Sequence, residues 1–294
     1  MFDLKKACKN CKPLTIKKYK RDVQRLAELI DLEKIPEKGG WLKKEALFKK
    51  YKSMPLNKRR AYSVAAVKAN QAYGLTNDKW STAMFDDVKE YKKNRSKQKL
   101  SESEKKKIPL GGFKALKKIS TEFKRSIKRD IDAEEVKGLY LYSQYVVIRF
   151  YSEYAFRNDL ATVQLGVGQN KLTKSKGVYS IKMTDFKASD KIGPITVVLS
   201  KALSNVLAKY IKYRAKFDLP HKHLLVNSTG SQLSKKGLGT ILNQITKKYL
   251  GKGFGTRIIR ILKARHESDT IDKAKKISQE MLHTLEQNQQ YNKK

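Results

Sequence analysis

Residues 92–109, K-K-N-R-S-K-Q-K-L-S-E-S-E-K-K-K-I-P, have almost no apolar content, so whatever packs must pack on either side of them. Such a run is the signature of a linker. The expected organisation is a helical module over residues 1–98, a basic linker over 99–110 and a second domain over 111–294. A chain of 294 residues is long enough for two domains with real cores.

The first stretch reads as helices. Ile16, Tyr19, Val23, Leu26 and Ile30 form one stripe of a helix over residues 14–31, with Lys17, Lys18, Lys20, Arg21 and Arg25 opposite. I-P-E-K-G-G then breaks the chain. A second helix is expected over residues 42–51. A third should run from about 57 to 73, with Asn57 as its cap and Gly74 as its stop. The fourth starts near residues 77–78, its apolar side being Trp80, Met84, Phe85, Val88 and Tyr91.

Beyond the lysine-rich run, helices are expected near residues 112–128 and 133–153, the latter unusually rich in tyrosine. The period then changes. V-Y-S-I-K-M (178–183) and I-T-V-V-L (195–199) alternate as strands do, with F-K-A-S-D-K-I-G-P as the turn between them. Residues 223–227 read as a short buried strand, and helices return at 200–214, 238–249 and after 255. The expected class is mainly α with a small antiparallel β-sheet.

Charge narrows the partner. Lys and Arg number 66 against 28 acidic residues, a formal net charge of +38, and the natural partner of such a chain is a polyanion. Nucleic acid is the first candidate and an anionic membrane surface the second. No run approaches the roughly 20 apolar residues that span a bilayer. Residues 1–12 lack the apolar core of a signal peptide, so a soluble, intracellular protein is expected. With this charge, the linker reads either as a solvated spacer or as a hinge that tracks phosphates while two domains close round a duplex. Cys8 and Cys11 form a lone C-x-x-C with no second pair at metal spacing, which reads as two thiols rather than a metal site.

Cutting a phosphodiester without metal needs forked guanidiniums on the nonbridging oxygens, an aligned nucleophile and a proton for the leaving oxygen. Arg157, Arg260, Tyr291 and a lysine of the 187–191 turn supply these parts. Arg257 and Arg260 stand three apart in G-T-R-I-I-R, a spacing that puts both on one helix face. Acidic residues show no D-x-D or D-D-E-like spacing, which disfavours a metal-dependent nuclease.

These residues, in this order, resemble the tyrosine recombinase (phage integrase-like) family, in particular divergent members found in large DNA viruses and mobile elements. A-F-R-N-D-L is similar to the family's R-x-x-E-L, with Arg157 matched and the acid one residue early at Asp159. The family lysine sits in a turn between two strands, which selects Lys187, with Lys191 as competitor. R-I-I-R is similar to H-x-x-R, with Arg260 in the arginine position and Arg257 where histidine is usual. M-L-H-T resembles L-G-H-S and supplies His283. Q-N-Q-Q-Y resembles the segment carrying the nucleophile, Tyr291.

The resemblance implies an N-terminal core-binding domain, a C-terminal catalytic domain and a DNA strand transferase acting on double-stranded DNA. Tyr291 would form a 3′-phosphotyrosine, Arg157 and Arg260 would hold the scissile phosphate, and Lys187 would protonate the leaving oxygen. His283 would touch a nonbridging oxygen or assist proton transfer, while Arg257 could add charge but not act as a base. No metal or cofactor is implied. A homo-tetramer on paired sites is, although three residues after Tyr291 leave little for a tail exchanged between neighbours. Two other readings stand beside this one. A type IB topoisomerase would relax supercoils without a specific site, and a non-catalytic DNA-binding protein would form no covalent adduct.

Overall fold

The computed structural model describes residues 2–11, 13–76, 78–96, 100–132, 135–267, 271–281 and 287. The chain forms two compact units, Met1–Lys97 and Gln98–Lys294.

The first unit is helical: α1 (Leu4–Ala7), α2 (Pro13–Glu28), α3 (Glu45–Lys52), α4 (Leu56–Ala72) and α5 (Asp78–Ser96). Its core joins Val23 and Leu26 of α2 to Leu47 and Tyr51 of α3, Trp80 of α5 and the alanines 65, 66 and 69 of α4. Small alanines let α2 and α5 lie close on α4. The helix expected at 42–51 is divided, since Gly39–Lys43 form a 3-10 turn before α3 begins at Glu45. Trp80 explains the turn's position, because its indole N–H donates to the Leu42 carbonyl at 2.7 Å. Asn57 caps nothing; α4 starts one residue earlier, behind Pro55.

The expected apolar side of α5 is also corrected. Phe85 is 67% exposed, and Asp87, 2% exposed, faces inward instead. A buried carboxylate needs partners. Asp87 accepts from the Tyr51 hydroxyl and from Ser63 Oγ at 3.3 Å, and its other oxygen pairs with Arg59 Nε at 3.2 Å. Burial and that carboxylate push the Tyr51 phenol well above its usual value.

The second unit contains α6 (Glu102–Lys105), α7 (Lys114–Ser126), α8 (Lys128–Asp132) and α9 (Val136–Tyr151), then strands β1 (Gln164–Leu165), β2 (Asn170–Ser175), β3 (Val178–Met183) and β4 (Ile195–Val198). A short helix, α10 (Ser189–Ile192), lies between β3 and β4. Helices α11 (Lys201–Arg214), α12 (Lys235–Leu250), α13 (Thr256–Glu267) and α14 (Ile271–Glu280) follow. The class is mainly α with a small sheet, ordered β1-β2-β3-β4. The sheet is mixed rather than antiparallel, because β1 pairs with β2 in parallel while β2–β3 and β3–β4 are antiparallel. Residues 223–227 form only isolated bridges, Gln164 with His223 and Val226 with Gln232.

α9 is the centre of this unit. Leu139, Val146, Val147, Ile148, Phe150 and Tyr151 are each no more than 1% exposed. Within the lysine-rich run, residues 100–108 are pinned to the unit at three points while the residues between stay exposed. Leu100 and Glu104 are buried, and Ile108 packs against the core. Ser101 and Glu104 close a capping box that starts α6.

Among the described residues no helix is long and apolar enough to cross a membrane, and no group of three or more His, Cys, Asp or Glu could hold a metal. Cys8 and Cys11 are free thiols; burial and a hydrogen bond with Cys11 push the Cys8 thiol up to about 11.

Candidate active site

The chain leaves α9 through Tyr154, Ala155 and Phe156, all buried, and this anchor delivers Arg157 to the edge of the core. Tyr151, the last residue of α9, donates its hydroxyl to the Arg157 carbonyl at 2.7 Å. The guanidinium is half-buried, and its Nη2 donates to Gln287 Oε1 at 2.8 Å. Gln287 stands between His283 and Tyr291 in the sequence.

A 3-10 turn, Asn158–Thr162, follows Arg157 and is braced by two helix starts. Asn158 Nδ2 donates to the Lys235 carbonyl at 2.9 Å, and its oxygen accepts from Thr256 Oγ1 at 2.8 Å. Lys235 opens α12 and Thr256 opens α13. Gly239 leaves room for this approach, since a Cβ there would stand 3.3 Å from Asn158 Nδ2. Asp159, 4% exposed, accepts Lys235 Nζ at 2.5 Å. The shifted acid of the R-N-D-L motif is thus an ion-pair partner in the brace.

Arg260 lies one turn into α13 and is 7% exposed, with Nε 3.4 Å from the Thr256 carbonyl. It shares a neighbour with Arg157. Burial and the Asp159 carboxylate raise the Tyr151 phenol well above its usual value, while the Arg260 guanidinium pulls the other way. One buried phenol therefore feels Arg260 and holds the backbone of Arg157.

Arg257 has different surroundings from Arg260, despite the i, i+3 spacing. Its side chain is 52% exposed and reaches Glu104 of α6, with Nε 3.0 Å and Nη2 2.5 Å from Oε1. Burial alone would raise the Glu104 carboxyl. The Ser101 amide and hydroxyl and the Arg257 guanidinium outweigh it and bring the carboxyl to about 2. Arg257 is committed to a carboxylate that stays ionised.

The turn between β3 and β4 holds Lys187 and Lys191, both exposed and neither ion-paired among the described residues. It is not a free hairpin. Phe186 and Ala188, 4% and 7% exposed, sink into the core on either side of Lys187. Lys191 belongs to α10, which ends at Gly193 with φ of 78°, a conformation that favours glycine. Further along, Lys263 of α13 pairs with Glu267 at 2.6 Å and Glu280 of α14 at 3.7 Å, tying α14 to α13. His283 and Tyr291 lie outside the described residues.

Sequence reasoning missed Gln287, Lys235, Thr256 and Glu104. Polar residues at helix starts and in lysine-rich runs give no signal of their own, because their partners are distant in sequence.

Two solved structures share this architecture. A XerH site-specific recombinase bound to palindromic difH substrate in a post-cleavage complex aligns over 98% of this chain and 79% of its own, at 16% identity and a TM-score of 0.58. A XerH site-specific recombinase bound to difH substrate in a pre-cleavage complex aligns over 99% of this chain and 81% of its own, at 17% identity and a TM-score of 0.55. The fold is that of the tyrosine recombinases. A XerA recombinase aligns over 98% of this chain and 92% of its own, at 12% identity and a TM-score of 0.43. No family model and no curated protein matches the sequence.

Proposed function

We propose that this chain is a site-specific DNA recombinase that cuts and rejoins double-stranded DNA through a 3′-phosphotyrosine. The observation that carries the reading is the hydrogen bond from the Arg157 guanidinium to Gln287, on a tyrosine-recombinase fold. It brings to Arg157 a residue that precedes Tyr291 by four positions in the sequence.

Tyr291 attacks the scissile phosphorus, its phenolic proton passes to solvent water, and the bond to the 5′ oxygen breaks. Arg157 and Arg260 hold the nonbridging oxygens bidentately as charge builds on them. Their half-buried and buried settings keep water from screening that interaction. Lys187 gives its proton to the leaving 5′ oxygen, and the anchored residues on both sides of it favour it over Lys191. His283 serves a nonbridging oxygen. Arg257, already neutralised by Glu104, supports α13 and is not a phosphate clamp. A second 5′ hydroxyl then attacks the phosphotyrosine, giving its proton to Lys187; the bond to Tyr291 breaks and the phenol takes a proton back from solvent, so bond energy is conserved and no metal or nucleotide is consumed. In this reading residues 1–98 grip the duplex, residues 111–294 hold the chemistry, and four copies act on paired sites.

A suicide duplex, nicked so that the cleaved strand diffuses away, tests the proposal. The wild-type chain should give a denaturation-resistant adduct on a matching site. Arg157→Ala and Arg260→Ala should each lower its rate by about 10²–10³. Absence of an adduct across a random-sequence pool, with DNA binding intact, would leave only a DNA-binding protein.

A further inference from the structure

We infer that Asn170 is a positioning residue that fixes the lysine-bearing turn against the arginine-bearing segment. The inference rests on the recombinase reading above, because it gives Asn170 a place in proton delivery to the leaving group.

Asn170 opens β2 and is 3% exposed. An amide side chain has two N–H donors and an oxygen with two lone pairs, and all four are used here. Nδ2 donates to Thr162 Oγ1 at 2.7 Å and to the Asp185 carbonyl at 2.7 Å. Oδ1 accepts the backbone N–H groups of Thr184 and Asp185, each at 3.0 Å. The network also fixes which way the amide points, since a flipped group would set N–H against two N–H donors.

The two sides of this amide belong to different parts of the site. Thr162 ends the 3-10 turn that follows Arg157, and its hydroxyl donates onward to the Asp159 carbonyl at 2.7 Å. Thr184 and Asp185 are the first residues after β3, and Asp185 is two residues before Lys187. Asn170 pairs with Met183, the last rung of the β2–β3 ladder. Its side chain captures the backbone just where the strand pairing stops, and continues the ladder into the turn. No other described side chain hydrogen-bonds to both segments.

Aspartate is nearly isosteric but has no donors. Asn170→Asp keeps the bonds from Thr184 and Asp185 and turns the contact with the Asp185 carbonyl into oxygen against oxygen. The turn must shift, and a displacement of about 1 Å at a reacting group costs about 10²-fold. The shift falls on the lysine, not on the arginines, which are held by α12 and α13.

The test uses the full chain and two suicide duplexes, one with the ordinary phosphate and one with sulfur in place of the leaving 5′ oxygen. The sulfur leaves without a proton, so it removes the need for a general acid. Asn170→Asp should cut the ordinary substrate about 10- to 100-fold more slowly than wild type and the sulfur substrate within about threefold of it. Thr162→Val, which removes one acceptor, should show the same pattern in smaller degree and keeps the test alive should the aspartate variant misfold. Affinity for uncut duplex should not change. Equal slowing on both substrates, or no slowing on either, would overturn the role of Asn170 while leaving the recombinase reading in place. A wild-type chain that forms no adduct with either substrate would remove both.

Discussion

Glu104 and Arg257 are 153 positions apart in sequence, and Asp159 and Lys235 are 76 apart. Neither pairing is visible in the sequence, whereas the arginines themselves were, since phosphate chemistry calls for their side chains. Glu104 gives a pH prediction. Its ordinary carboxyl value is 4.5, and in the folded chain it lies at about 2. A depressed carboxyl contributes stability above the ordinary value and loses it as pH falls toward the folded one. Glu104→Gln should therefore melt lower than wild type at pH 7, by about 1–2 kcal/mol once the half-exposed arginine is discounted. The gap should close between pH 4.5 and about 2. A gap that stays constant down to low pH would show that the lost packing, not the charge, is responsible. Asp159 makes the second of these distant ion pairs. Lys235→Met leaves its buried carboxylate without that cation and should lower stability by about 1–3 kcal/mol, read by denaturant melts.

At the scale of elements, periodicity recovered most helices because a buried stripe at helical spacing is a property of one segment. It placed α2, α4, α5, α9 and α11 within a few residues of where they lie. It failed where burial is not apolar or not periodic. Asp87 took an inward place because Tyr51, Ser63 and Arg59 partner it, and Phe85 was left outside. β2, N-K-L-T-K-S, has Asn170 and Leu172 as its buried residues, so no alternation announced it. Residues 100–108 look solvated on average, yet Leu100, Glu104 and Ile108 recur every fourth residue and hold the stretch down. This sets where a protease should cut. Limited trypsin should cut ahead of Leu100, and the stable C-terminal fragment should retain residues 100–108. N-terminal sequencing that finds the fragment starting at residues 106–108 instead would contradict the packing of α6.

For the whole molecule, the mainly helical class with one small sheet was legible because the change of period around residue 178 is abrupt. The order of Arg157, the lysine turn and Arg260 along the chain carried the resemblance that the fold comparison supports. How these groups are braced was not legible, since it depends on contacts between α12, α13 and the segment after α9. With +38 net charge, binding to duplex should be driven largely by counterion release. Several phosphate contacts from each unit, at about 0.9 per contact, give a slope of log affinity against log salt steeper than about −4. Fluorescence anisotropy between low and physiological salt measures it, and a flat response would remove the polyanion partner. The central claim is the nucleophile, and Tyr291→Phe tests it by removing a single oxygen. The variant should bind duplex with nearly wild-type affinity, because one phenol adds little to many basic contacts. It should form no covalent adduct with the suicide duplex on a denaturing gel. An adduct that persists in Tyr291→Phe would contradict the account.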